Sequence, residues 1–284
     1  MRAFIIPNLT KKNGISCTQD VCSALNDAGI VPCIESSNFS VFANLAAVFD
    51  SFESLISTCD IVITVGGDGT LIHAAKKAAF YQKPVLGVNV GRLGFMTALE
   101  PNELSLLACL TQGEYHLESR MMLDIVKHSA TGEEHFCALN DAVISKGSKA
   151  KIIDISLFCN QKFVSGYRAD GIILSSPTGS TAYSMSAGGP VISPAIESII
   201  MTPICPHSLA ARTILFSPDD IVTVQGCYDC NDYEIFLTVD GENAIRLDQG
   251  DSVSVKKSTT AVQFISFDNR DFFEVLNKKM ILRA

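Results

Sequence analysis

Positive charge is scarce in this chain of 284 residues: 22 Lys and Arg stand against 30 Asp and Glu, leaving a net charge of −8. No basic run relieves the deficit, which disfavours nucleic acid and anionic membrane as partners. An apolar run able to span a bilayer is also missing. The most apolar long stretch, Pro190 to Ala211, holds four prolines together with Glu197 and His207, so it does not cross a membrane. The opening Met1–Pro7 is too short for the apolar region of a signal peptide. Cysteine is plentiful but unpaired in pattern: Cys22, Cys33, Cys59, Cys109, Cys137 and Cys159 lie singly in apolar segments. That scatter reads as reduced, buried thiols rather than a disulfide framework. Cys227 and Cys230 form one CxxC with no second pair or His partner at zinc spacing, so a turn between strands is expected there. No internal repeat and no low-complexity linker is present. These absences leave a cytoplasmic, soluble protein as the expectation, long enough for two domains of ordinary size.

What the chain does have is a strand that runs into a glycine turn. Ile61-Val62-Ile63-Thr64-Val65 is rich in β-branched residues, Gly66-Gly67-Asp68-Gly69-Thr70 breaks it, and Leu71 to Phe80 is an alanine-rich helix former. Strand, glycine turn and helix together let bare backbone amides approach phosphate, the glycines giving room and positive φ. A loop that only bound phosphate would not gain from a carboxylate. Asp68 therefore points to a group that takes a proton from a substrate, or holds a metal, beside a phosphate chain. An ordinary βα turn with a turn-forming Asp is the plainer reading.

The pattern changes near residue 100. Before it, strands at Ala3–Ile6, Ile30–Ile34, Ile61–Val65 and Val85–Val90 alternate with helical segments around Thr18–Ala28, Phe42–Phe49 and Leu71–Tyr81. Such alternation predicts an α/β domain with a parallel sheet over 1–100, with ligands at the carboxyl ends of its strands. Pro101 opens another helix that ends at Gly113. From Tyr115 to Phe267, β-branched strands with turns at Thr131-Gly132, Asn160-Gln161, Asp240-Gly241 and Gln249-Gly250-Asp251 predict an all-β, sandwich-like domain. This gives 101–267 as the second domain and 268–284 as a tail, with a closing helix at Asp271–Leu282.

Two further clusters lie in the β-rich part. In Leu139-Asn140-Asp141-Ala142-Val143 two polar groups interrupt an apolar run, as a binding pair or as a hairpin edge or bulge. In the segment from Arg168 to Ser184, a strand at Ile172–Ser175 is entered through Asp170-Gly171 and leaves through Pro177-Thr178-Gly179-Ser180-Thr181. The hydroxyl-rich exit suits a loop that bonds a polar ligand, or a helix start capped by Ser180 or Thr181. An acidic protein that binds polyphosphate must recruit charge locally, through Mg²⁺ or another divalent cation, backbone amides and a few basic side chains. Arg168, Lys149 and Lys151 are the candidates, each of which also reads as a solvated surface charge.

In these three motifs, in their order and in Thr202-Pro203-Ile204-Cys205-Pro206-His207, the chain resembles the ATP-NAD kinase family over nearly its whole length. The first motif is shared with lipid and sugar-phosphate kinases of the GGDGT superfamily; the long third motif is more specific. The resemblance implies transfer of the ATP γ-phosphoryl group to the 2′-hydroxyl of the adenosine ribose of NAD, giving NADP. It implies that Asp68 accepts the hydroxyl proton, late in a loose transition state because a carboxylate is a weak base towards an alcohol. Gly66, Gly67 and Gly69 would offer amides to the donor phosphates, with Thr70 closing the turn; a plain helix N-cap is the other role for Thr70. Asn140 would bond adenine and Asp141 the ribose, although the family usually carries Glu there, one methylene longer. Asp170 and the backbone of Thr181, Ala182, Tyr183, Ser184, Met185 and Ser186 would hold other polar edges, and Tyr183 offers a stacking face. His73 would lie near NAD or stand as a surface residue; His207 reads as structural, and Asp240-Gly241-Glu242 matches a turn that reaches the nucleotide. The family also implies that the last helix returns to the first domain, a site in the cleft between domains, and a homodimer or homotetramer. Inorganic polyphosphate as donor and NADH as acceptor stay open. So do a superfamily kinase for a lipid or sugar phosphate, which the hydroxyl-rich loop suits poorly, and a silent dinucleotide sensor, which the intact Asp68 disfavours.

Overall fold

The computed structural model describes residues 1–91, 94–148, 151–227, 234–267 and 271–281. Lys149 and the Cys230 half of the CxxC lie outside the described residues. Packing divides the chain into two units, one of residues 1–119 with 262–284 and one of residues 120–261.

In the first unit, β1 (Arg2–Pro7), β2 (Val31–Glu35), β3 (Val48–Asp50), β4 (Ile61–Gly66) and β5 (Val85–Asn89) form a parallel sheet in the order β3-β2-β1-β4-β5. The central strands β4 and β5 are buried along their whole length, which is why β4 reads as an apolar run without polar alternation. Ala3, Ile5, Ile61, Ile63, Leu86 and Val88 share one core with Cys17, Val21 and Leu25 of α1 (Gly14–Asp27). Leu107 and Leu110, from the 3₁₀ segment Pro101–Ala108 and α5 (Cys109–Gln112), join that core, so the first unit extends past residue 100. This helical stretch ends at Gly113 in the left-handed region, as expected. On the other face Gly87 makes room for α4 (Asp68–Phe80): a Cβ there would lie 2.9 Å from Leu71 Cδ2.

The helix expected over Phe42–Phe49 is not present. A short α2 (Phe39–Phe42) precedes the edge strand β3, which pairs in register from Cys33↔Val48 to Glu35↔Asp50. The sheet edge captures this segment against its alanine-rich composition. A helix the sequence reading missed, α3 (Phe52–Thr58), follows, with the Ser51 side chain accepting the Ser54 N–H as its cap.

The second unit is a sandwich. One sheet holds β8 (Asp141–Lys146), β11 (Gly171–Ser175), β12 (Ile199–Ile204), β13 (Ile214–Phe216), β15 (Ile235–Val239) and β16 (Ile245–Leu247), in the order β13-β12-β11-β8-β15-β16. Pro203 sits in β12 beyond the last pair with β13, Met201↔Ile214, where no neighbour needs its missing N–H on that side. The other sheet holds β9 (Ile153–Cys159), β10 (Lys162–Ala169), β14 (Val222–Cys227) and the first part of β17 (Ser252–Ser266), with β6 (His116–Ser129) and β7 (Gly132–Ala138) alongside. Inward residues of both sheets, among them Ala142, Ile172 and Leu237 against Ile155, Val224 and Val253, make one core. The turns expected at Asn160-Gln161 and Asp240-Gly241 have positive φ at both residues, from 47° to 71°, the twist that joins antiparallel strands. Further along, β17 returns to the first unit, where Phe264 pairs with Val85, and α7 (Phe272–Ile281) follows it there. Among the described residues, no helix is long and apolar enough to cross a membrane.

Cys22, Cys33 and Cys59 are buried as expected, and burial pushes the Cys22 thiol up to about 12 and that of Cys59 to about 11. Cys109, Cys137 and Cys159 are half-buried rather than buried: Cys109 starts the short α5, Cys137 lies in β7, which pairs only with β6 among the described strands, and Cys159 is the last residue of β9.

Candidate active site

In the first unit the glycine turn sits where the strand order reverses, between β1 and β4, the place at which open parallel sheets hold ligands. Gly66 ends β4, Gly67 caps α4, and Asp68, Gly69 and Thr70 form the first helical turn. Their amides lack carbonyl partners inside the helix, and the helix dipole favours an anion there. None of the three glycines has positive φ, contrary to expectation. Space is what they provide: a Cβ on Gly66 would lie 2.5 Å from Thr70 Oγ1, while one on Gly67 or Gly69 would point into open room. Thr70 is not the cap; its Oγ1 accepts from Asn8 Nδ2 at 2.8 Å. Asn8 Oδ1 in turn accepts from the backbone and hydroxyl of Thr10. A cavity of about 790 Å³ opens here, walled by the end of β1 and its following loop (Asn8, Thr10, Lys11) and by Asp68, His73 and Lys77 of α4.

Asp68 is the most constrained group of the turn. Phe95 N–H donates to its Oδ2 at 2.9 Å and Met96 N–H to its Oδ1 at 3.3 Å. A Cβ on Gly94 would lie 2.2 Å from Asp68 Oδ1, so only glycine lets this loop close on the carboxylate. Lys279 Nζ, from α7, stands 3.9 Å from Oδ2. The carboxylate is thus aimed by backbone and keeps part of its surface open to solvent. Sequence reading missed Asn8, Gly94, Phe95, Met96 and Lys279. A signal existed for the loop alone, in the glycines at 91 and 94 just after β5.

In the second unit the other two motifs come together. Asp141 begins β8 directly opposite Ser175, the end of β11. Ser176 N–H donates to the Asn140 carbonyl at 2.8 Å, and the Ser176 hydroxyl donates to the Leu139 carbonyl. A Cβ on Gly179 would meet the Asn140 carbonyl oxygen at 2.1 Å. Thr178–Thr181 is a 3₁₀ turn, then Ala182, then α6 (Tyr183–Ser186), and neither Ser180 nor Thr181 caps α6 with its side chain. Of this stretch, Ser184 is buried with its hydroxyl 2.9 Å from Thr202 Oγ1, Met185 is half-buried, and Tyr183 and Ser186 are exposed. Asp240 holds the motif from below, its carboxylate accepting the amides of Leu139, Asn140 and Asp141 at 2.8 to 3.1 Å.

Burial, and secondarily the charge of Asp240, push the Asp141 carboxyl up to about 7. At neutral pH it therefore donates as well as accepts. The Asn140 side-chain carbonyl is buried and has no donor among the described residues. An acceptor left in that state costs about 1–3 kcal/mol, which a ligand N–H would remove.

The remaining candidates lie elsewhere. Asp170 precedes β11 and pairs with Lys146 at 2.6 Å, while Arg168 reaches Asp154 at 3.7 Å. Gly171 is opposite Ser145 and Ser175 opposite Asp141, so five residue steps, about 17 Å of strand, separate Asp170 from the residue paired with Asp141. Lys151 is exposed just before β9. Among the described residues, no cluster of three or more His, Cys, Asp or Glu side chains is ready to hold a metal.

Comparison with known proteins finds matches for both parts of the chain. Residues 4–115 match the ATP-NAD kinase N-terminal domain and residues 139–267 the ATP-NAD kinase C-terminal domain. The chain is 38% identical over 284 residues to an NAD kinase of Caldanaerobacter subterraneus subsp. tengcongensis, covering 98% of each. An NAD kinase of Thermoanaerobacter sp. is 37% identical over 286 residues, again covering 98% of each. Among solved structures, a yeast NADH kinase complexed with NADH has the same fold, with a TM-score of 0.86 at 22% identity, over 98% of this chain and 86% of that one. With two domains matched in order and near-complete coverage by sequence relatives, this chain belongs to the ATP-NAD kinase family.

Proposed function

We propose that the protein transfers the γ-phosphoryl group of ATP to the 2′-hydroxyl of the adenosine ribose of NAD, forming NADP. One observation carries this reading: Asp68, at the N-terminus of α4 beside an open cavity, is aimed by the amides of Phe95 and Met96. The new bond joins the ribose O2′ to the γ-phosphorus, the bond from that phosphorus to the β,γ-bridging oxygen breaks, and ADP leaves with its electron pair. The 2′-hydroxyl proton passes to Asp68, late in a loose transition state. Until then Asp68 orients the hydroxyl, and the amides of Asp68, Gly69 and Thr70 receive donor phosphate oxygens.

In the second unit, Asn140 Oδ1 suits an exocyclic amino group such as that of adenine, and the Asp141 carboxyl suits ribose hydroxyls. The backbone from Thr181 to Ser186 and the exposed ring of Tyr183 would meet the rest of the dinucleotide. His73, on the cavity wall, would contact nucleotide. Asp170, Arg168 and Lys151 are assigned outer, weaker contacts with it, since Asp170 pairs with Lys146 and Arg168 with Asp154. A divalent cation such as Mg²⁺ fits this donor set as an ion carried by the donor phosphates, with Asp68 the carboxylate of the turn available to it. When bound it neutralises phosphate charge. The protein would act in the cytoplasm as a homodimer or homotetramer, without nucleic acid or membrane partners.

The test is a coupled assay of purified protein with ATP, NAD and Mg²⁺, reading NADP through an NADP-specific dehydrogenase. Parallel arms substitute inorganic polyphosphate for ATP and NADH for NAD. NADP formed from ATP and NAD supports the reading; a folded protein that forms none in any arm refutes it.

A further inference from the structure

Two lysines close α7, and they behave differently. Lys278 is exposed, as a last-turn cation on a helix ordinarily is. Lys279 turns inward: its side chain is 14% exposed, and Nζ lies 3.9 Å from Asp68 Oδ2 and 3.8 Å from the centre of the Phe95 ring. Taking an ammonium out of water is unfavourable unless an anion or an aromatic face compensates. Here both are supplied by the groups that define the turn, because Phe95 also donates its N–H to Asp68. The separation of 3.9 Å is an ion pair without a direct hydrogen bond between the two groups. This chain is acidic overall, and the cations the sequence put forward, Arg168 and Lys151, belong to the other unit.

We infer that Lys279 is a positioning residue for phosphoryl transfer: its ammonium holds the Asp68 carboxylate against the amides of Phe95 and Met96 and offsets its charge while anionic donor phosphates approach. The inference rests on the proposed function. Without Lys279, a carboxylate and a polyphosphate would repel each other at the one place where both are needed. The Phe95 ring fixes the lysine laterally, so the C-terminal helix becomes part of the site rather than only a closing element.

The test uses the full chain and the NADP assay, with kcat and KM for each substrate and the melting temperature measured together. Lys279→Met keeps the apolar stem over Phe95 and removes the charge; Lys279→Gln does the same with a polar tip, should the methionine variant fail to fold. We expect kcat to fall at least about tenfold, in line with loss of one preorganised charge. KM for NAD should stay within about twofold, the melting temperature within a few degrees, and Lys279→Arg should regain most of the lost kcat. Wild-type kcat in the neutral variants would overturn the inference and leave the proposed function standing. Equal losses in Lys279→Met and Lys279→Arg, tracking a lower melting temperature, would also overturn it in favour of a packing role. Absence of NADP from the wild type would instead refute the proposed function, and the inference with it.

Discussion

Asp240 Oδ1 accepts the backbone N–H of Asn140 at 2.8 Å, although the two residues are 100 positions apart. The same carboxylate takes the amides of Leu139 and Asp141, and Asp240 N–H returns a bond to the Asp141 carbonyl at 3.0 Å. Asn140 thus faces its surroundings from a turn whose backbone is tied to the loop after β15. Replacing Asp240 by Ala leaves three amides without their charged acceptor, and we expect a loss of about 3 kcal/mol in unfolding free energy, well below the sum of three separate bonds. KM for NAD should rise more than kcat falls. Asp240→Asn, which keeps an acceptor oxygen, should lose less on both measures by denaturant melts and steady-state kinetics.

The Asp141 carboxyl gives stability a pH dependence of definite sign. Its folded value of about 7 lies above the ordinary carboxylate value of about 3.9, through burial and the neighbouring Asp240. The unfolded chain therefore releases this proton first as pH rises. The contribution of Asp141 is at its best below about pH 4, declines by about 1.4 kcal/mol per pH unit up to about 7, and then levels off. Asp141→Asn should flatten that decline and gain stability relative to the wild type at pH 8 more than at pH 5. Urea unfolding at the two pH values measures this.

Gly94 tests how finely Asp68 is held. An added methyl would meet Asp68 Oδ1 at 2.2 Å and Thr97 Oγ1 at 2.6 Å, so the carboxylate is forced off its position against the amides of Phe95 and Met96. Gly94→Ala should lower kcat by about a hundredfold or more, as displacement of a reacting group by about 1 Å does. Cooperative unfolding should persist. Steady-state kinetics beside a thermal melt separates the two effects.

Much of this arrangement is legible in the sequence where physics is local. β4 runs into a glycine turn and α4 because β-branched residues meet glycine and then alanine-rich helix formers. Asn160-Gln161 and Asp240-Gly241 are turns because Asn, Asp and Gly tolerate positive φ. Where a distant partner decides, the sequence is silent. β3 forms at Val48–Asp50 because the edge of β2 pairs with it, although the alanine-rich residues just before it suit a helix. The amides of Phe95 and Met96, the carboxylate of Asp240 and the ammonium of Lys279 each reach the site across 27 or more positions. No spacing rule announces such pairs. Asp170 and Arg168 show the converse, since their motif continues into the Asn140 end while an extended strand carries the two residues away from it.

Proton transfer to Asp68 while phosphate moves to NAD is the step on which the proposed function turns. The most direct measurement is NADP formation by purified wild type and Asp68→Asn, with ATP, NAD and Mg²⁺, alongside binding of NAD by calorimetry. The asparagine keeps shape and hydrogen-bonding atoms but cannot take the proton. We expect NADP from the wild type, a kcat lower by about a hundredfold or more in the variant, and NAD affinity changed by less than about threefold. Unchanged turnover in Asp68→Asn with intact NAD binding would contradict the account.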